Sequence, residues 1–151
     1  MKPIFIMLIG ISGAGKSTIA KDYQALMDNS IIISSDAIRA ELWGDESCQH
    51  NPKRVFEIMN ARTLENLKKG ISVIYDATNL ISSRRSQLVK QVKPYCKQVN
   101  CLFIDKTLTE CVQNQTKRKR QVPYDVIRKQ LSQLEVPKYS EGWDKILVRY
   151  N

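Results

Sequence analysis

The feature that most restricts this chain is the run Gly10-Ile11-Ser12-Gly13-Ala14-Gly15-Lys16-Ser17, which fits GxxxxGK[ST] and follows directly on the apolar stretch Ile4–Ile9. A glycine-rich turn between an apolar strand and a helical pattern is the setting in which such a loop cradles phosphate. Glycines let backbone N–H groups turn inward around phosphate oxygens, and a helix beginning near Lys16 adds its positive dipole end. The pattern predicts ATP phosphates against Gly10, Ser12, Gly13, Ala14, Gly15, Lys16, Ser17 and Thr18. Lys16 is expected to reach the β- and γ-phosphates, Ser17 to be the hydroxyl ligand of Mg²⁺, and Thr18 to lie near the α-phosphate. Switch proteins, motor ATPases and kinases share such a loop, so it implies nucleotide binding without fixing the reaction.

Runs rich in isoleucine and valine alternate with segments of helical period, the signature of βα units around a parallel sheet. Strands are predicted at 4–9, 31–34, 72–75, 99–104 and 145–148, and helices at 16–27, 36–42, 52–69, 82–92, 108–118 and 124–134. The expected fold is α/β, a central parallel sheet of about five strands with helices on both faces. Gly70 closes the third helix, Thr107 and Glu110 form a capping-box pattern, and Val122-Pro123 breaks the chain before the last helix. The polar stretch 43–51 is expected to be a loop near the site. At 151 residues the chain fits one domain, 1–151, with a helical lid expected within 107–135.

No stretch approaches the roughly eighteen apolar residues of a membrane span, so no membrane partner and a soluble, cytoplasmic protein are expected. The opening MKPIFIMLIG reads as a first core strand rather than a secretion signal, because a phosphate loop stands where a cleavage site would. Cys48, Cys96, Cys101 and Cys111 lack CxxC spacing, and His50 is the single histidine, which argues for reduced thiols over zinc binding or a disulfide framework. The formal charge of +9 favours anions, nucleotide phosphates and nucleic acid alike.

Beyond the second predicted strand, the segment SSDAIR sets Asp36 where open parallel sheets bind ligands, with Arg39 on the same helical face. Transfer of a phosphoryl group to an alcohol needs an oriented hydroxyl and a proton acceptor; Asp36 is the candidate base. The planar fork of Arg39 suits an acceptor that itself carries phosphate. The plainer alternative is that Asp36 caps its helix and Arg39 is solvated. Asp76 ends the third strand at a position like a Walker B carboxylate, able to hold a magnesium-bound water or orient the acceptor, with Thr78 and Asn79 as neutral hydrogen-bonding groups beside it. Of Arg84 and Arg85, one contacts the acceptor or both lie on a solvated helix face. In the basic run Lys117-Arg118-Lys119-Arg120, Arg118 and Arg120 are the better candidates to fold over the transferring phosphate; the run is otherwise solvated or a nucleic-acid contact.

The order GISGAGKST, SSDAIR, YDATNLxxxRR, KRKRxVP resembles the kinase domain of phage and bacterial polynucleotide 5′-hydroxyl kinases over nearly the whole chain. The resemblance implies a P-loop kinase fold and an ATP-dependent kinase, with Lys16 and Ser17 serving ATP and Mg²⁺. It further implies that Asp36 activates the 5′-OH of RNA or DNA, that Arg39 holds the 3′-phosphate of the terminal nucleotide, and that a lid arginine contacts the ATP phosphates. An adenine pocket formed by the last helix and 137–146, near Trp143, is also implied; from the residues alone, Trp143 is equally a core residue. The phosphatase motif DxDGT is absent, so an end-healing phosphatase or ligase is expected to be a separate chain. Related P-loop kinases that phosphorylate a small molecule or an aminoacyl-tRNA share the D-x-x-R arrangement, and a regulatory NTPase module is the reading from another class.

Overall fold

The computed structural model describes residues 2–46, 50–117 and 122–150. Five strands, β1 (Ile4–Ile9), β2 (Ser30–Ser34), β3 (Ser72–Asp76), β4 (Gln98–Ile104) and β5 (Lys145–Arg149), form one parallel sheet in the order β2-β3-β1-β4-β5. Between them run α1 (Lys16–Leu26), α2 (Ser35–Trp43), α3 (Pro52–Lys68), α4 (Ser82–Val92), α5 (Leu108–Thr116) and α6 (Tyr124–Gln133). The expected fold is present, and strand limits differ from the sequence reading by a residue at most. Helix α5 stops at Thr116; Arg118 and Arg120, the expected lid cations, lie outside the described residues.

The central strand shows why the sheet reads as unbroken apolar runs. Alternate side chains of β1 enter different layers: Phe5, Met7 and Ile9 pack with Ile38, Val55, Met59 and Leu88 from α2, α3 and α4, whereas Ile6 and Leu8 pack with Ile19, Cys111 and Ile127 from α1, α5 and α6. With both faces covered, no position of β1 has a reason to be polar.

Local chemistry sets the helix starts. Ser34, not Asp36, caps α2, its hydroxyl accepting from Ala37 N–H at 3.3 Å. Asp36 sits in the first turn, where a carboxylate favours the helix dipole. Asn51 caps α3 with Pro52 in the first turn, and Thr107 caps α5 through Glu110 N–H at 3.1 Å. These starts gather the amino ends of α1, α2, α3 and α4 around the carboxyl edge of the sheet, where the cleft lies.

After α6 the chain crosses to the other layer. Glu135 N–H bonds Leu80 O at 2.9 Å, Trp143 is buried among Val89, Val92 and Val99, and Asp144 accepts from Val99 N–H at 2.7 Å before β5 begins. This corrects the adenine-pocket expectation: residues 137–146 contribute nothing to the cleft wall, and Trp143 is core, its Nε1–H donating to Glu141 at 2.8 Å.

Candidate active site

A cleft of about 1780 Å³ opens over the carboxyl ends of β1, β2 and β3. On its donor side, residues 10–15 turn from β1 into α1. Gly13 and Gly15 take φ of +87° and +92°, left-handed values that side-chain-bearing residues rarely adopt. A Cβ at Gly13 would also strike the Cys111 carbonyl, so α5 packs directly on the loop. The bend exposes the first amides of α1, which have no partner within the helix and face the cleft.

The loop is held in shape from outside. Gly10 N–H donates to Thr78 O at 3.1 Å, Ser12 N–H to Gln130 Oε1 of α6 at 2.8 Å, and Asn114 Nδ2–H of α5 to Gly13 O at 2.8 Å. Lys16 folds its ammonium back to Ile11 O at 3.0 Å, across the mouth of the loop. Gln130 and Asn114 were not among the candidates from sequence. Each lies about a hundred residues or more from its partner, and a lone amide on a helix carries no signal of a backbone bond that remote.

Ser17 and Asp76 converge, the hydroxyl donating to Asp76 Oδ2 at 3.4 Å. Asp76 is buried. A hydroxyl and a carboxylate side by side are hard oxygen donors suited to Mg²⁺, which takes one or two protein oxygens and completes its shell with phosphates and water. Among the described residues no cluster of three or more His, Cys, Asp or Glu side chains forms a cage of its own. The Ser17 and Asp76 oxygens fit such an ion.

Elsewhere on the cleft wall, Arg39 Nη1 donates to Asp36 Oδ1 at 2.8 Å. Arg39 is only 12% exposed, and its Nε is buried without an acceptor, whereas Asp36 is 37% exposed and lines the cleft. A buried, unpaired guanidinium nitrogen is costly unless something binds it.

The residues after β3 divide. Thr78 lines the cleft while its carbonyl holds Gly10. Asn79, at φ +52°, donates to Leu8 O at 2.6 Å and Ala77 O at 3.1 Å, so both amide hydrogens serve the backbone. Arg84 lines the cleft and is exposed. Arg85 departs from the solvated reading, being 1% exposed with each guanidinium nitrogen donating within the protein. Its Nε and Nη2 grip Glu141 at 2.9 and 2.7 Å, Nη1 donates to Asn79 O, and Nη2 also donates to Glu135 O, each at 2.8 Å. Burial pushes the Glu141 carboxyl up, but hydrogen bonds from Arg85, Ser82 and Trp143 outweigh it and leave the group below its ordinary value. Arg85 thus clamps the segment after α6 to the loop after β3.

Cys96, Cys101 and Cys111 are free thiols among the described residues. Burial pushes Cys96 and Cys111 up to about 11 and Cys101 up to about 12, which keeps all three protonated and unreactive near neutrality. Among the described residues, no helix is long and apolar enough to cross a membrane.

A phosphate-binding loop facing a carboxylate–arginine pair across one cleft, on this sheet order, defines a nucleotide-binding phosphotransferase of the P-loop kinase class. The chain belongs to the AAA-domain family AAA_33, whose model matches residues 5–137. Among solved structures, it resembles a chain of the Pnkp1/Rnl/Hen1 RNA repair complex at 25% identity and a TM-score of 0.78, over 88% of this chain and 44% of that one. The chain therefore spans less than half the length of that relative. Kti12 of Chaetomium thermophilum, in complex with ADP-AlF3, matches at 17% identity and 0.75, covering 97% of this chain and 89% of that one. A gluconokinase from Sinorhizobium meliloti matches at 20% identity and 0.67, covering 97% and 81%. The last two show the fold alone.

Proposed function

We propose that the protein transfers the γ-phosphoryl group of ATP to the 5′-hydroxyl of a polynucleotide. The observation that carries this reading is the Asp36–Arg39 pair, set across the cleft from the P-loop with Arg39 Nε buried and unmatched. A polynucleotide end brings a hydroxyl to the carboxylate and, on the 3′ side of the same sugar, a phosphate to the guanidinium. Similarity to a chain of an RNA repair complex and the +9 charge support the same acceptor class.

In the reaction the acceptor oxygen bonds the γ-phosphorus, the bond to the β–γ bridging oxygen breaks, and ADP leaves. Asp36 takes the hydroxyl proton. Lys16 swings from Ile11 O to the β- and γ-oxygens, where its charge offsets the negative charge that grows on the leaving group. Gly13, Gly15 and the first amides of α1 hold the phosphates in place. Ser17 and Asp76 would hold Mg²⁺, which would supply charge neutralisation to the departing phosphate. Arg39 fixes the terminal nucleotide by its 3′-phosphate, and one of Lys117, Arg118 and Arg120 serves the ATP phosphates.

The test is transfer of labelled phosphate from ATP to a 5′-OH oligonucleotide and to a nucleoside 3′-phosphate, beside Asp36→Asn. Labelling that falls about 10²- to 10⁴-fold in the variant, with ATP affinity unchanged, supports the reading. Absence of labelling on any nucleic acid, with ATP bound tightly, would overturn it in favour of a small-molecule acceptor.

A further inference from the structure

We propose that the cleft has a second arm, between α3 and α4, that takes the nucleotides behind the phosphorylated end, so that the enzyme favours an oligonucleotide over a single nucleotide. The inference rests on the polynucleotide reading above and adds subsites beyond the terminal residue that Asp36 and Arg39 engage.

The cleft wall does not stop at the acceptor mouth. It continues along α3 through Lys53, Phe56 and Asn60, and along α4 through Arg84, Gln87 and Gln91. Both sets have helical i, i+3, i+7 spacing, so each is a single stripe, and seven residues at 1.5 Å each make both stripes about 10 Å long. The two helices start at the carboxyl edge of the sheet and pack on the same layer, so the stripes lead away from the reacting centre side by side. A compact sugar or metabolite held at Asp36 would leave that length empty. A single strand rising about 3.4 Å per nucleotide places its second and third residues along it.

The chemistry of the walls changes with depth as a strand requires. Lys53 and Arg84 stand in the first turns of α3 and α4, where two positive helix ends add to their charges, and this is the place for the next backbone phosphate. Farther along come Gln87, Gln91 and Asn60, amides that offer both donors and acceptors to base edges. Tyr75 donates its hydroxyl to Asn60 Oδ1 at 2.8 Å, which turns that amide's N–H₂ into the available side. Phe56, half-buried, adds an aromatic wall of the kind on which bases stack. Among the described residues Lys53, Arg84, Gln87 and Gln91 have no hydrogen-bond or ion-pair partner, unlike Arg85 one position away.

The test measures KM and kcat for 5′-OH acceptors of one, two, three and six nucleotides, as RNA and as DNA, in the native protein and in Gln87→Ala/Gln91→Ala. In the native protein KM should fall about tenfold from the nucleoside 3′-phosphate to the trinucleotide and then level off. The double variant should lose most of that gain, its hexanucleotide KM rising about tenfold while the mononucleotide KM changes less than about twofold. Labelling of all lengths with one KM, or an equal loss on mononucleotide and hexanucleotide, would overturn the arm while leaving the polynucleotide reading standing. Labelling of no nucleic acid would overturn both.

Discussion

In the donor half of the cleft, Ser12 and Gly13 are tied to Gln130 and Asn114 of two helices and Gly10 to the loop after β3, whereas in the acceptor half Asp36 and Arg39 bond each other and Arg39 Nε meets no acceptor. The difference repeats between two arginines. Arg85 gives its nitrogens to Glu141, Asn79 and Glu135, all within the protein, and Arg39 leaves one buried nitrogen unmatched. One arginine beside the cleft is thus matched within the protein, and the other retains bonding capacity. On the function proposed above, phosphate recognition is prebuilt and acceptor recognition is completed by the ligand.

The comparison breaks if removing the donor-side charge leaves transfer intact. Lys16→Ala should lower kcat about 10³-fold or more with every acceptor, measured by phosphate transfer at saturating ATP, because the loss falls on the transferring group itself. Next in size is the contrast between the arginines. Arg85→Met should cost about 3–5 kcal/mol in urea denaturation by stranding the Glu141 charge, and adding Glu141→Leu should recover most of it. Arg39→Ala should cost under about 1 kcal/mol by the same measurement while raising KM chiefly for acceptors with a 3′-phosphate. Equal stability losses in the two would erase the distinction.

Smaller effects sharpen it. Gln130→Ala frees Ser12 N–H and should raise the KM for ATP about fivefold with kcat nearly unchanged, the worth of one hydrogen bond in loop preorganisation. Acid should reveal the clamp. The Glu141 carboxyl lies below its ordinary 4.5 when folded, so its stabilisation is complete above that value and is lost as pH falls through the folded value. Native protein should therefore lose urea resistance more steeply below pH 4.5 than Glu141→Gln does.

What the sequence discloses follows the range of the interactions. The P-loop, the cap of α5 and all strands are local patterns, set by residues within a few positions of one another, and they appear where the sequence places them. The cap of α2 lies two residues before the aspartate weighed for that role, since Ser34 competes for the same amides. Arg85 and Glu141 are 56 residues apart and Ser12 and Gln130 are 118 apart. No periodicity connects such pairs, and Ser82-Ser83-Arg84-Arg85 looks equally like a solvated helix start or a binding pair until the second layer is folded over it. Trp143 illustrates the same gap: its burial depends on how the segment after α6 crosses the sheet.

The bond from Gly10 N–H to Thr78 O joins the phosphate loop to the loop after β3, and it is made of backbone alone. Its length does not depend on any side chain. The separation between the phosphate loop and the Asp76 edge is thus inherited with the strand order, and substitutions around the acceptor can accumulate without disturbing it. A lineage built on this frame is free to change what it phosphorylates while keeping how it phosphorylates.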